Sequence, residues 1–325
     1  MTAQSAWRNR LLRFLLPVAL LSVILSGCAN DADSVSPPPS TTPPIVTSAA
    51  TAYTFGIIYP MTHPFYETIT RTAEKAAAES NVRLVVKAPG ESNLEQQIRM
   101  METMIRQQVD GIAIDPIDAN ALAPIIDKAV NGGIPVICFE SDSPASKRLT
   151  YIGTNNLESG RRMGESLDKL LDGSGMVLVE TGTRRTLSMD QRLEGMLTYL
   201  NNRTKIQVLE VRYNEGSESR ALRDLEEMID AHPHFDAFVG LDFVSGSASI
   251  LVWKAKGLAR YAFTFGLTPE IQEAIRNGQL TSVLSQHEEE WGTRIVERLV
   301  DAAEGRQLPP FDDTGLVEVS GAGDP

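Results

Sequence analysis

The chain has 325 residues, is 42% hydrophobic and 22% charged, and carries a formal net charge of −12. That acidity repels nucleic-acid phosphates, and no basic stripe, zinc-finger spacing or helix-turn-helix pattern works against it. Four histidines without paired ligand spacing give no reason to expect a metal, and with Cys28 and Cys138 the only cysteines no disulfide is expected in the body.

Arg8, Arg10 and Arg13 precede an apolar run from Phe14 to Leu25. The run is too short to span a bilayer as a stable helix and suits the hydrophobic region of a secretory signal. It ends in Leu25-Ser26-Gly27-Cys28, which looks like a bacterial lipobox, so residues 1–27 are expected to be removed and Cys28 to be lipidated. An ordinary signal peptide with an incidental cysteine is the alternative. Removal takes away three arginines and no acids, leaving a formal charge of −15. Residues 28–52 hold Pro37, Pro38, Pro39, Pro43 and Pro44 among eight Ser and Thr residues, a composition that buries no core and reads as a disordered, solvated tether. The remaining residues, about 270 of them, suggest two lobes or one large domain.

From Tyr53 onward, short β-rich runs alternate with longer amphipathic segments. Strands are predicted at Thr54–Tyr59, Val82–Lys87, Gly111–Ile114, Val136–Phe139, Tyr151–Gly153, Met176–Glu180, Ile206–Tyr213, Ala237–Gly240, Ala262–Phe265 and Thr281–Ser285. A terminal strand is predicted at Leu316–Val319. Between them, Leu94, Ile98, Met101 and Ile105 share one helical face, opposite Glu95, Arg99, Glu102 and Arg106. Ser92 with Glu95 and Ser188 with Gln191 read as capping boxes, and Thr268-Pro269 as N-cap and first helical residue. Glu288-Glu289-Glu290 reads as a favourable negative first turn of the last helix. Cys138, inside an apolar run, is expected to be buried and inert.

This alternation implies an α/β fold of parallel sheets with right-handed crossovers, covered on both faces. Ligands of such sheets lie beyond the carboxyl ends of the strands. Directly after predicted strands come His63-Pro64-Phe65-Tyr66, Glu140-Ser141-Asp142, Asp242, Gly266 and Gln286, while Arg192 opens the helix after Met176–Glu180. Aromatic faces pack on sugar C–H surfaces, and charged groups bond strongly to hydroxyls, so these residue types suit a polyhydroxylated ligand. Each has a structural alternative. Phe65 and Tyr66 could staple the first helix to the core, Asp242 could cap the next helix and Asp142 could cap a turn.

From Thr54 to about Ser320 the chain resembles the sugar-binding proteins of bacterial ABC transporters, in the ribose/galactose-binding branch of the type I periplasmic-binding fold. The resemblance is carried by His63-Pro64-Phe65-Tyr66, by Val109-Asp110-Gly111-Ile112-Ala113-Ile114-Asp115-Pro116, and by Ile134-Pro135-Val136-Ile137 with Phe139-Glu140-Ser141-Asp142. Tyr151-Ile152-Gly153-Thr154-Asn155-Asn156 with Gly160, and Arg192-Leu193-Glu194-Gly195, complete it in order. It implies two doubly wound parallel-sheet lobes joined by a three-crossing hinge, with residues 53–155 plus 287–308 in the first lobe and 156–286 plus 309–320 in the second. Crossings are expected near Asn155, Gln286 and Leu308. It also implies sugar contacts from His63, Phe65, Tyr66, Glu140, Ser141, Asp142, Arg192, Asp242 and Gln286. Three departures stand out. Glu140 is one methylene longer than the usual Asp. His63 replaces an amide, and Gly266 stands where the family supplies a carboxylate, which is expected to leave more room and to favour a larger ligand.

The expected protein is therefore an extracytoplasmic, lipid-anchored monomer that passes a carbohydrate-like ligand to the transmembrane subunits of an ABC permease. No cofactor, metal or nucleic-acid partner is expected. A receptor that presents its ligand to a membrane sensor kinase or chemoreceptor is the first alternative. LacI-type repressors share the fold but carry a DNA-binding helix pair where this chain has a lipobox. A carbohydrate-active enzyme is disfavoured because no nucleophile elbow, P-loop, metal spacing or dinucleotide fingerprint is present.

Overall fold

The computed structural model describes residues 53–321; the lipobox, Cys28 and the tether lie outside the described residues. The chain begins with β1 (Tyr53–Ile58), α1 (Phe65–Glu79), β2 (Val82–Lys87), α2 (Leu94–Arg106), β3 (Gly111–Ile114), α3 (Ala119–Asn131), β4 (Val136–Phe139) and β5 (Tyr151–Gly153). It then crosses into a second unit: α4 (Asn156–Leu170), β6 (Ser174–Thr181), α5 (Leu187–Arg203), β7 (Lys205–Tyr213), α6 (Glu218–Ala231), β8 (Ala237–Gly240), α7 (Phe243–Lys256), β9 (Tyr261–Phe265), α8 (Pro269–Arg276) and β10 (Ser282–Ser285). It returns through α9 (Glu288–Ala303) and β11 (Phe311–Asp313) and ends in β12 (Val317–Ser320).

Two six-stranded sheets result, in the orders β11-β5-β4-β3-β1-β2 and β12-β10-β9-β8-β6-β7. Every neighbouring pair is parallel except β10 with β12. Both sheets are covered on both faces, because their short strands are apolar on each side. In the first, Phe55 and Ile57 enter one core while Ile58 enters the other. In the second, Phe238 enters one core and Ala237 and Val239 the other. Continuous burial of strands such as Val136–Phe139 follows from that double covering. Cys138 is fully buried, and burial raises its thiol pKa, which keeps it in the unreactive thiol form. No helix among the described residues is long and apolar enough to cross a membrane.

Three details differ from the sequence reading. β11 joins the first sheet beside β5, so the third crossing follows Asp313 and not Leu308. Three residues are too few to show alternation. Tertiary contacts make this strand: Phe311 stacks on Tyr151, and Asp312 accepts hydrogen bonds from Arg294 and Arg298. The cap of α2 is Asn93, whose Oδ1 accepts from the Gln96 amide at 2.9 Å, and not its neighbour Ser92. Ser188 lies inside α5, after Thr186, and its hydroxyl is used elsewhere. By contrast, Thr268 caps α8 as its sequence indicates, with Pro269 at the first helical position.

Candidate functional site

The segments that leave the carboxyl ends of both sheets face each other, and the two lobes touch through them. Thr186 Oγ1 donates to the Ile117 carbonyl at 3.0 Å, and the Ser188 amide donates to Ser141 Oγ at 3.3 Å. Between the lobes lies a cavity of about 30 Å³, bordered by Tyr66, Asp115, Glu140, Met189, Asp242 and Phe243 among others. Pockets that enclose a small organic ligand hold about 300–1,000 Å³. Admission of such a ligand therefore requires the lobes to part or the aromatic side chains to move.

At the centre, Arg192 Nη2 of the second lobe donates to Glu140 Oε1 of the first at 2.6 Å, and both side chains are almost fully buried. Glu140 ends β4 with a φ of 59°, left-handed backbone that costs a non-glycine residue about 1–2 kcal/mol. The carboxylate's other oxygen accepts from Ser188 Oγ at 2.9 Å, and its carbonyl accepts from Tyr151 Oη at 2.7 Å. Asn156 closes the network, donating to Tyr151 Oη and accepting from Arg192 Nε at 2.8 Å. Arg192 also donates to the Leu241 carbonyl, and its guanidinium lies 3.8 Å from the Phe265 ring centre. Arg192, expected to open its helix, lies in the second turn of α5 and is thus held from four sides.

Asp115, at the end of β3, accepts a hydrogen bond from Tyr66 Oη at 2.9 Å. Burial, then the charge of Glu140, pushes its pKa well above the usual carboxylate range, against the pull of Tyr66 and Arg192. Asp242 is both cavity wall and N-cap of α7: Oδ1 accepts from the Ser245 amide at 2.7 Å and Oδ2 from Asn214 Nδ2 at 3.0 Å. Burial raises its pKa too, opposed by these donors.

The remaining predicted positions divide. Gln286 sits at the second crossing, where its Oε1 accepts from Thr154 Oγ1 of the first crossing at 2.7 Å, so it ties the hinge. Asp142 does not face the cleft: both of its oxygens are bonded to Arg148, at 2.6 and 2.7 Å, in the loop after β4. His63 is buried at an outer seam. Its Nδ1 accepts from the Phe65 amide and its Nε2 meets Glu218 Oε1 of the other lobe at 3.3 Å. Burial lowers the imidazole pKa and Glu218 opposes this; with Nδ1 accepting, the neutral ring places its proton on Nε2, toward Glu218. Phe65 stacks face to face on Phe243, centroids 4.3 Å apart and planes at 6°, and Tyr66 meets Phe243 edge-on.

That ring pair also corrects the expectation for Gly266. A Cβ there would lie 3.4 Å from the Phe65 ring and from Phe243 Cβ, in ordinary van der Waals contact, so these two side chains already border the space beside it. With a φ of +88°, the position itself favours glycine. Asp115, Phe243 and Asn214 are the residues that sequence reading overlooked. Asp115 stood in a quoted motif as part of a strand signature, and Phe243 follows Asp242 in what reads as the apolar face of a helix.

Behind Asp242, Glu180 is fully buried and neither oxygen makes a hydrogen bond of ordinary geometry, although Ser245 is near enough to favour the ionised form. Burial, then the charges of Asp242 and Asp224, pushes its pKa up to about 9. The folded protein thus keeps a proton that the unfolded chain releases above the ordinary value of 4.5. This group's contribution to stability is complete below that value and declines as pH rises toward about 9. Glu180→Gln cannot titrate, and is expected to be more stable than wild type at neutral pH, by up to about 3 kcal/mol. Urea unfolding near pH 4 should show the gain disappear.

A family model for the periplasmic binding protein domain matches residues 56–307. The ribose import binding protein of Bacillus subtilis is 20% identical over 287 residues, 88% of this chain and 91% of the relative. A D-ribose/D-allose-binding protein of Pseudomonas aeruginosa is 22% identical over 236 residues, 70% of this chain and 73% of its own. Among solved structures, an ABC-transporter solute-binding protein of Burkholderia graminis, in complex with D-arabinose, superposes with a TM-score of 0.79 at 27% identity, covering 83% of this chain and 96% of that one. Two parallel-dominated lobes, a hinge of three crossings and a match over most of the length lead to one conclusion: this chain belongs to the periplasmic binding protein family.

Proposed function

We propose that this protein captures a small sugar or sugar-like solute between its lobes outside the cytoplasm and hands it to an ABC permease, returning it chemically unaltered. The observation that carries this reading is the pairing of Glu140 with Arg192 across the cleft beside the rings of Tyr66 and Phe243. A polyol entering an opened cleft meets carboxyl acceptors and aromatic side chains at once, and closure buries them around it. Tyr66, Glu140 and Asp242 are the ligand contacts in this proposal, and Arg192 orients Glu140 from behind. Phe65, Ser141 and Gln286 support the seam and hinge. The sugar-binding relatives support the ligand class.

A thermal-shift panel of pentoses, hexoses, polyols and disaccharides tests the proposal, because a ligand at ~100 Kd adds about 2.7 kcal/mol of stability. Mass spectrometry of the released ligand should find it unchanged. Absence of any shift across the panel, or steady conversion of the bound compound, would overturn the reading. Anchoring through Cys28 is part of the proposal. Wild-type protein is expected to partition with membranes and Cys28→Ala to be released. Unmodified wild-type protein in the soluble extracytoplasmic fraction would refute the anchor.

A further inference from the structure

The cavity between the lobes is bordered by three carboxyl groups, those of Asp115, Glu140 and Asp242, each no more than 3% exposed. Among the described residues, no lysine, arginine or histidine borders it. Arg192 stands behind Glu140, its guanidinium already engaged by Glu140, Asn156, the Leu241 carbonyl and the Phe265 ring. One cation therefore balances one carboxylate. Asp115 and Asp242 make no ion pair among the described residues, and their hydrogen-bond partners, Tyr66, Ser245 and Asn214, are neutral. Glu180, wholly buried and without a hydrogen bond of ordinary geometry, lies behind Asp242 and does not border the cavity.

We infer that the solute taken by this cleft carries a positively charged nitrogen: a sugar or polyol of ordinary size bearing a protonated amine. The inference rests on the sugar-capture reading and specifies the ligand within it. Closing the lobes on a neutral polyol would satisfy the carboxyl oxygens with hydroxyl hydrogens, yet would either leave two buried negative charges uncompensated, which is costly in a medium of low polarity, or hold both carboxyls in their protonated, weakly accepting forms. An ammonium group supplies the missing charge and three donors at one atom. Tyr66 and Phe243 border the same space, and the face of an aromatic ring attracts a cation. The raised pKa values of Asp115 and Asp242 agree with this: without a partner cation, burial favours their protonated forms, and a bound ammonium favours the ionised ones.

Isothermal titration calorimetry of the detergent-solubilised wild-type protein at neutral pH, with matched compounds, tests the inference. D-glucosamine is compared with D-glucose and N-acetyl-D-glucosamine, D-galactosamine with D-galactose and its N-acetyl form, and 1-amino-1-deoxysorbitol with sorbitol. At least one amine is expected to bind about tenfold or more tightly than both of its uncharged counterparts. Asp115→Asn and Asp242→Asn should reduce that advantage. Both are near-isosteric: in the first the carboxamide oxygen still accepts from Tyr66, and in the second asparagine is a good N-cap for α7. If neutral sugars bind as tightly as their amines, this inference fails while sugar capture stands. If the amines win but both asparagine variants keep the full advantage, the assignment to these carboxylates fails. If no compound of either kind binds, the sugar-capture reading itself falls, and this inference with it.

Discussion

Arg192→Ala is expected to cost about 3–5 kcal/mol of stability and to weaken ligand binding by about 2–5 kcal/mol. The side chain is 1% exposed and bonded on both sides of the cleft, so its removal leaves Glu140, Asn156 and the Leu241 carbonyl buried without their donor. The unpaired Glu140 carboxylate is the largest part of that cost. Pairing the change with a second one separates the effects. Arg192→Met with Glu140→Gln removes both charges and should recover most of the lost stability, since a buried ion pair replaced as a unit costs little. Binding should stay weak in the double variant, because the Glu140 carboxylate and the guanidinium that orients it are both gone. Glu289→Ala, more than half exposed on α9, is the control and should change neither quantity measurably. If calorimetry cannot tell Arg192→Ala from that control, the cleft centred on Arg192 is not the binding site.

Gly195→Ala is expected to destabilise the second lobe by about 1–3 kcal/mol or more, and to weaken binding at a distance. A Cβ at Gly195 would lie 2.0 Å from the Leu157 carbonyl oxygen, and one at Gly160 would lie 2.0 Å from the Arg192 carbonyl oxygen. The obstructing atoms are backbone, so no rotamer change relieves them and α4 must move away from α5. That movement displaces Arg192, which α5 carries, and with it the bond to Glu140. Gly160→Ala should act in the same way. Gly90→Ala, where a Cβ meets nothing within 4 Å, is the matched control. Urea unfolding and ligand titration on the three variants measure both effects. Wild-type stability and affinity in Gly195→Ala would show that the helices can separate without cost.

The strands and the order of elements were legible because they depend on local periodicity. Short apolar runs such as Gly111–Ile114 and Val136–Phe139, separated by capped amphipathic segments, are buried on both faces wherever a parallel sheet is doubly covered. The Thr268-Pro269 start was legible for the same reason, since a cap and its partner lie within three residues. Ser92 and Asn93 were not separable by such rules. Both are good caps, and the backbone entering α2 decides which side chain reaches the Gln96 amide.

Side-chain assignments at the cleft were legible only as a set of candidates. The rule that ligands lie beyond strand ends selects Tyr66, Glu140, Asp142 and Asp242 alike, but it cannot say where a carboxylate points. Asp142 is claimed by Arg148, six residues on, while Glu140 is turned across the cleft by a left-handed backbone. The space beside Gly266 is bordered by Phe65 of α1 and by Phe243, the first residue of α7, and no spacing in the chain reports that approach.

Sequence alone thus determined the alternating α/β architecture and its parallel sheets, from patterns within one element or its immediate flanks, and the family with its two lobes, from the order of motifs along the body. Tertiary structure decided which lobe holds β11, which acid faces the cleft, and that Arg192 lies behind Glu140 and not in the cavity wall. These outcomes depend on contacts between residues far apart in the chain, where burial and competition for a single partner choose among groups that are chemically equivalent on paper.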